Sequence, residues 1–291
     1  MTGPTVVVTD SAASVPTALA REFGLVVVPL SVIVDDEAFE EGVSITSDQV
    51  LAALTVGSTV TTSQPAPQAF SEAFRGIADG GAGAIVAVLI GGKLSGTVDA
   101  ARAAASTVDI PVTVVDSRTV AMGTGFAALA AAKVARDGAP AGRVGEIARV
   151  VAASVTCVFT VDTLEYLRRG GRISSAAAAM GRVLSVRPVL EIVDGEASVT
   201  HKVRSTARAR DTVLDRAEEA IAAATAPAVA VMTLGDGTFG DDAARSFRLH
   251  HDHLAMQVDT TISSVLAVHA GPGALAVVVA DVAASSPGRI D

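Results

Sequence analysis

The first half of this chain alternates short apolar runs with helix-like stretches, and that alternation leaves few folds open to it. Thr5 to Thr9, Leu25 to Val34, Ala84 to Ile90 and Pro111 to Asp116 read as strands. Helical patterns lie at about 16–23, 46–54, 70–77, 98–107, 122–136 and 141–153. The strand-like runs are apolar along most of their length, as strands covered on both faces are. Strands of this kind separated by helices predict a parallel sheet with helices on both sides, a three-layer α/β/α domain. Ligands of such sheets sit beyond the carboxyl ends of the strands. Asp10, Ser63, Ser95 and Asp116 all fall at such positions.

Local punctuation supports these elements. Pro16 suits a first helical turn and Gly24 the position just past a helix end. Thr46-Ser47-Asp48-Gln49 is a capping box. The acidic stretch Asp35 to Glu41 reads as a solvated connection. Thr59 to Pro67 is a hydroxyl-rich segment leading into a helix.

The second half differs. Cys157 to Val161 is strand-like, and Thr163 to Ser174 holds a short helix ended by glycine, with Ser174 then capping an alanine-rich helix at 176–179. Val189 to Val193 and Ala197 to Arg204 flank Asp194-Gly195, a hairpin signal. A helix from Ser205 to Ala224, a strand from Ala228 to Leu234, a helix from about Phe239 and a last strand from Leu275 to Asp281 complete a mixed sheet. The expected division is a first domain over 1–158, a second over 159–284 and a frayed tail over 285–291.

Composition removes several classes of function. Net charge is −9, which argues against a nucleic-acid backbone as partner. Mean hydropathy is high, at +0.49. No apolar run, however, reaches the roughly 18 residues that a bilayer crossing needs. The start, Met1-Thr2-Gly3-Pro4, lacks the basic opening of a secretory signal. The one cysteine, Cys157, lies in an apolar run and reads as a small buried hydrophobe. A cytoplasmic location is expected.

The loop Gly91-Gly92-Lys93-Leu94-Ser95-Gly96-Thr97 follows a strand and opens a helix. Free N–H groups and hydroxyls at a helix N-terminus form a cup for an anion. The loop is not a P-loop, because Lys93 and Thr97 stand at the wrong spacing, nor a hydrolase elbow, which would need glycine at 93 and 97. Gly235 to Gly240 and Gly123 to Gly125 fit dinucleotide patterns loosely, but acidic neighbours and displacement from the strand make both ordinary turns. His250, His251 and His253 lack a second ligand pair, so no metal site is expected. His269 reads as the end of an apolar strand before Gly271-Pro272-Gly273, either as a core histidine or as a site residue. Arg172 is either a surface residue or a bidentate anion holder.

Taken in order, the motifs resemble the DegV family of bacterial fatty-acid-binding proteins. The matching residues are Thr9-Asp10-Ser11, Thr62-Ser63-Gln64-Pro65, Ser95-Gly96-Thr97, Asp116-Ser117 with Met122-Gly123, Thr163 through Ser174, Arg187-Pro188 and His269 through Ala274. The resemblance implies a long-chain fatty acid held between the two domains. Its carboxylate would rest on Thr62, Ser63, Ser95, Gly96 and Thr97, with Arg172 and His269 nearby as charge stabilisers. It also implies a partner kinase that phosphorylates the carboxylate, transient membrane contact, no resident cofactor and no catalysis by this chain alone. Two alternatives stay open: a subunit that binds a small carbonyl substrate through His269, and a pure lipid carrier. Ala276, where glycine is common in the family, bears on the shape of the tail site.

Overall fold

The computed structural model describes residues 3–65, 67–174, 186–235 and 237–285. The chain opens with β1 (Thr5–Asp10), α1 (Thr17–Phe23), β2 (Val26–Val28), β3 (Ser31–Val34), β4 (Glu37–Glu40), α2 (Ser47–Val56), β5 (Val60–Ser63) and α3 (Pro67–Asp79). It continues with β6 (Ala84–Leu89), α4 (Thr97–Ala105), β7 (Val112–Asp116), α5 (Met122–Arg136) and α6 (Ala141–Ala153). The second half holds β8 (Thr156–Thr160), α7 (Glu165–Gly170), β9 (Arg187–Val193), β10 (Glu196–Val203) and α8 (Thr206–Ala223). It ends with β11 (Pro227–Thr233), α9 (Thr238–His250), β12 (Met256–Thr261), α10 (Ser264–Ala270) and β13 (Leu275–Asp281). The alanine-rich stretch after Ser174 lies outside the described residues.

The first sheet is parallel, in the order β2-β1-β6-β7. Its strands are buried on both faces for a visible reason. Val7, Val86 and Val88 pack with α5 and α6, while Val8, Ile85, Ala87 and Leu89 pack with Phe70 and Phe74 of α3 and Ala101 of α4. That is the expected three-layer arrangement. The second sheet is mixed, in the order β10-β9-β8-β13-β11-β12, and only β11 and β12 pair in parallel. The two main sheets thus draw their strands from 5–116 and 156–281. A small antiparallel sheet, β4-β3-β5, stands apart from both.

Helix α5 joins the two halves. Twelve of its residues are buried, including an unbroken run from Met122 to Ala132. A helix buried on all sides needs small side chains where neighbours press close, and α5 is mostly alanine and glycine. Its residues share one hydrophobic cluster with Val86 and Val88 of the first sheet and with Ala230, Met232 and Val278 of the second.

Several expectations are corrected. The acidic stretch Asp35 to Glu41 is no solvated connection throughout: it turns at Asp35-Asp36, forms the edge strand β4 and ends at a buried Glu41. Leu25 to Val34 is two strands in two different sheets. Gly123 and Gly125 sit inside the first turns of α5, not in a turn. A Cβ on Gly125 would come within 2.8 Å of the Ala13 carbonyl oxygen, so glycine there permits close packing. His269 lies on helix α10 and not at the end of a strand.

Candidate functional site

The β6–α4 loop is held from both sides by the aspartates that end its neighbouring strands. Asp10 Oδ2 accepts from the N–H of Ile90 at 2.8 Å. Asp116 Oδ1 accepts from the N–H of Gly92 at 3.0 Å and of Arg118 at 2.9 Å. The loop turns back on itself, with Leu94 and Ser95 N–H both donating to the Gly91 carbonyl. Ser95 Oγ then lies 2.7 Å from Thr97 Oγ1 and accepts from Thr97 N–H at 3.4 Å, at the start of α4.

Across from this loop stands His269. Its Nε2 is 2.8 Å from Thr62 Oγ1 at the end region of β5. Its Nδ1 faces Gly170 at the end of α7, where a Cβ would lie 2.1 Å from that nitrogen. Nδ1 is buried with no hydrogen-bond partner among the described residues. Burial, and then the nearby Arg172 guanidinium, push the imidazole down to about 4, so it is neutral at pH 7. Arg172 donates from Nε to the Leu94 carbonyl at 3.1 Å and also bonds the Gly170 carbonyl. Arg172 therefore ties α7 to the β6–α4 loop. The side chain of Gln64 lies close against Gly96.

Thr62, Ser63, Ser95, Arg172 and His269 all line one cavity with about 910 Å³ of empty space, part of it open to solvent. The rest of its wall is almost wholly apolar. It takes Ile90, Leu94 and Val120 from the first half and Cys157, Phe159, Met232 and Ala276 from the second. Thr97 is buried behind Ser95, and neither Thr97 nor Gly96 is among the lining residues. A second space of about 870 Å³ lies behind Thr62, Arg172 and His269, which line both; its wall also includes Tyr166 and Arg169. The Cys157 thiol is pushed up to about 12 by burial, next by the Glu191 charge, so it is no nucleophile.

Sequence reasoning missed two contributors. Gln64 lines the cavity beside Ser63. Glu41 is buried and accepts from the N–H of Val265 in α10, the helix that carries His269. Nothing in the pattern of a charged run marks one glutamate as internal.

Among the described residues, no cluster of three or more His, Cys, Asp or Glu side chains could hold a metal ion. No helix among them is long and apolar enough to cross a membrane.

Known proteins share this architecture. A DegV domain-containing protein of Streptomyces coelicolor is 40% identical over 276 residues, covering 94% of this chain and 97% of that one. One from Mycobacterium bovis is 35% identical over 285 residues, covering 97% and 99%. Among solved structures, a DegV family protein from Thermus thermophilus described for fatty acid binding superposes with a TM-score of 0.87 at 29% identity, over 96% of this chain and 99% of that one. A stearic acid-binding protein from Eubacterium ventriosum gives 0.85 at 25% identity, over 94% and 97%. The profile of the DegV family, described as uncharacterised, matches residues 4–282. By sequence and by fold, this chain belongs to the DegV family.

Proposed function

We propose that this chain binds a long-chain fatty acid in the cavity between its two main sheets and presents the carboxylate to a separate ATP-dependent kinase. Thr62, Ser63 and Ser95 hold the carboxylate, with Arg172 and His269 beside it. The observation that carries this reading is one largely apolar cavity whose wall brings together Thr62, Ser63, Ser95, Arg172 and His269, with Thr62 bonded to His269 and Arg172 to the Leu94 carbonyl beside Ser95. The fatty-acid binding of the Thermus thermophilus and Eubacterium ventriosum proteins supports the choice of ligand.

The energetics favour a tail-driven grip. Burying a methylene is worth about 0.8 kcal/mol, so on the order of 14 methylenes offer roughly 11 kcal/mol before ordering costs. The head-group cluster then mainly fixes orientation and satisfies a carboxylate that would be costly to bury unpaired. Thr62, Arg172 and His269 face the second, more polar space as well, which offers a phosphoryl donor an approach to the carboxylate. The Arg172 cation stabilises charge during transfer, and the neutral His269 acts as a hydrogen-bond donor. The chain has no phosphate loop of its own, so the kinase activity resides in the partner. Delivery and release involve transient contact with a membrane surface, where free fatty acids partition.

A covalent carbonyl adduct on His269 is disfavoured by the same geometry. One ring nitrogen is engaged by Thr62 and the other is pressed against Gly170. Native mass spectrometry of the purified protein tests the ligand: an adduct with a fatty-acid mass is expected, and a covalent shift on His269 would overturn the reading. Incubation with ATP alone should yield no acyl phosphate. Capture of an ATP-binding partner separates kinase presentation from a pure carrier role. With that partner, Ser95→Ala should keep the adduct yet lower turnover.

A further inference from the structure

Helix α10 is seven residues long, far below the length at which a helix stands alone. The residue before it, Ser263, makes no side-chain capping bond. The cap comes instead from the other half of the chain. Glu41 Oε1 accepts from the N–H of Val265 at 2.7 Å. Ser47 Oγ donates to the carbonyl of Ile262, just ahead of the helix, at 2.7 Å. At the far end of α10, Thr62 meets His269 at 2.8 Å. All three tethers come from residues 41–62, the segment that runs from the end of β4 through α2 to β5. Together they fix the height and rotation of α10.

Glu41 is an expensive way to cap a short helix. It is only 6% exposed, and its second oxygen, Oε2, has no hydrogen-bond partner among the described residues. A serine already stands at the capping position and could serve at far lower desolvation cost. Glu41 also belongs to a buried polar node. The Ser11 hydroxyl lies beside the Glu41 carboxyl, easing its burial, and accepts from the Leu30 N–H at 2.8 Å. The adjacent Asp10 grips Ile90, at the root of the loop that carries Ser95. The two arms of the head-group site, one bearing His269 and one bearing Ser95, are thus rooted in the same spot.

We propose that Glu41 is a positioning residue: by holding the N-terminus of α10 it sets where the His269 imidazole stands relative to Thr62 and the Ser95 loop. The proposal rests on the reading that this cluster meets a fatty-acid carboxylate. Its direct readout does not.

The test uses the full chain, stripped of lipid, as wild type, Glu41→Ala and Glu41→Gln, with His269 followed by nitrogen NMR of the imidazole. In Glu41→Ala the Nε2 signal should lose its hydrogen-bonded, single-tautomer signature, and bound oleate should leave at least tenfold faster. Glu41→Gln should keep the wild-type signal, because its amide oxygen still accepts from Val265. Ile221→Ala, a buried change on α8, should lower stability without moving the His269 signals. An unchanged His269 signal in folded Glu41→Ala overturns the proposal, as does an equal shift in Ile221→Ala. If Glu41→Ala does not fold, Glu41→Asp takes its place: it reaches one methylene less far and must move the same signals. Failure of the wild type to retain oleate would sink the lipid reading instead, and leave the NMR result to judge Glu41.

Discussion

Thr62 Oγ1 and His269 Nε2 stand 2.8 Å apart, joining β5 of one half of the chain to α10 of the other across 207 positions of sequence. A neutral imidazole that donates from Nε2 uses one acceptor site of the threonine oxygen. The hydroxyl hydrogen of Thr62 is then free to point at a second acceptor, such as a carboxylate. Thr62→Val keeps the shape and removes both roles. We expect a loss of about 1–3 kcal/mol of stability, from a buried ring nitrogen left unpaired, together with faster loss of bound fatty acid. Denaturant titration and native mass spectrometry measure the two effects.

Gly170 is required by its neighbour and not by its backbone. A Cβ there would lie 2.1 Å from His269 Nδ1, so the ring must move. Gly170→Ala should cost about 1–3 kcal/mol, as overpacking does, and weaken oleate retention. Gly76→Ala on α3 meets nothing within 4 Å. It should be neutral or stabilising by up to about 1 kcal/mol, through helix propensity. Equal losses in both variants would remove the case for a steric slot at Gly170.

Asp10 and His269 work against each other as pH changes. Burial pushes Asp10 from 3.8 up to about 7, with the Glu41 charge adding to it, so the folded state holds a proton that the unfolded chain has released. Its contribution is full below about 4 and fades as pH rises through 7. His269 is held down at about 4 against 6.5 unfolded, so its contribution is lost as pH falls from 6.5 toward 4. Across this window the two slopes oppose. Asp10→Asn removes the falling limb, so its stability relative to wild type should improve between pH 4 and pH 8, at about 1.4 kcal/mol per pKa unit. Glu41, also raised by burial, keeps part of that limb in the variant. Chemical denaturation at three pH values checks the sign. A constant difference between the two proteins would refute the assignment.

Ala276 lines the cavity from β13. Ala276→Phe should fill tail space and abolish the fatty-acid adduct while the protein stays folded, at an overpacking cost of about 1–3 kcal/mol. An adduct of undiminished mass and yield would mean that the tail lies elsewhere.

Most of the fold was legible where a physical signal is local. The capping box at Thr46 forms with both of its reciprocal bonds. The Asp194-Gly195 turn takes positive φ at both residues, as a two-residue hairpin demands. Strands β4 and β12 escaped notice because each is an edge strand of its sheet, with one face in solvent and few apolar residues to betray it. Helix α10 escaped for the opposite reason. Its residues are apolar but for Ser264 and His269, and a short, mostly apolar run cannot be told from a strand by periodicity alone. The hydroxyls at 62, 63 and 95 could be picked out because polar groups beside glycines and strand ends are chemically conspicuous. Glu41 could not, since its importance comes from a contact 224 positions away.

The pairing of Phe159 with Ala276, and of Ala276 with Met232, has a consequence for how relatives diverge. These three side chains form one rung across the cavity floor, and neighbouring rungs on the same face follow at about 7 Å, two residues along each strand. A change on a single rung alters depth there without disturbing Thr62, Ser95 or His269, which stand on other segments. Under the proposed function, tail length and acid recognition are set by separate segments, so a lineage can retune the first while conserving the second.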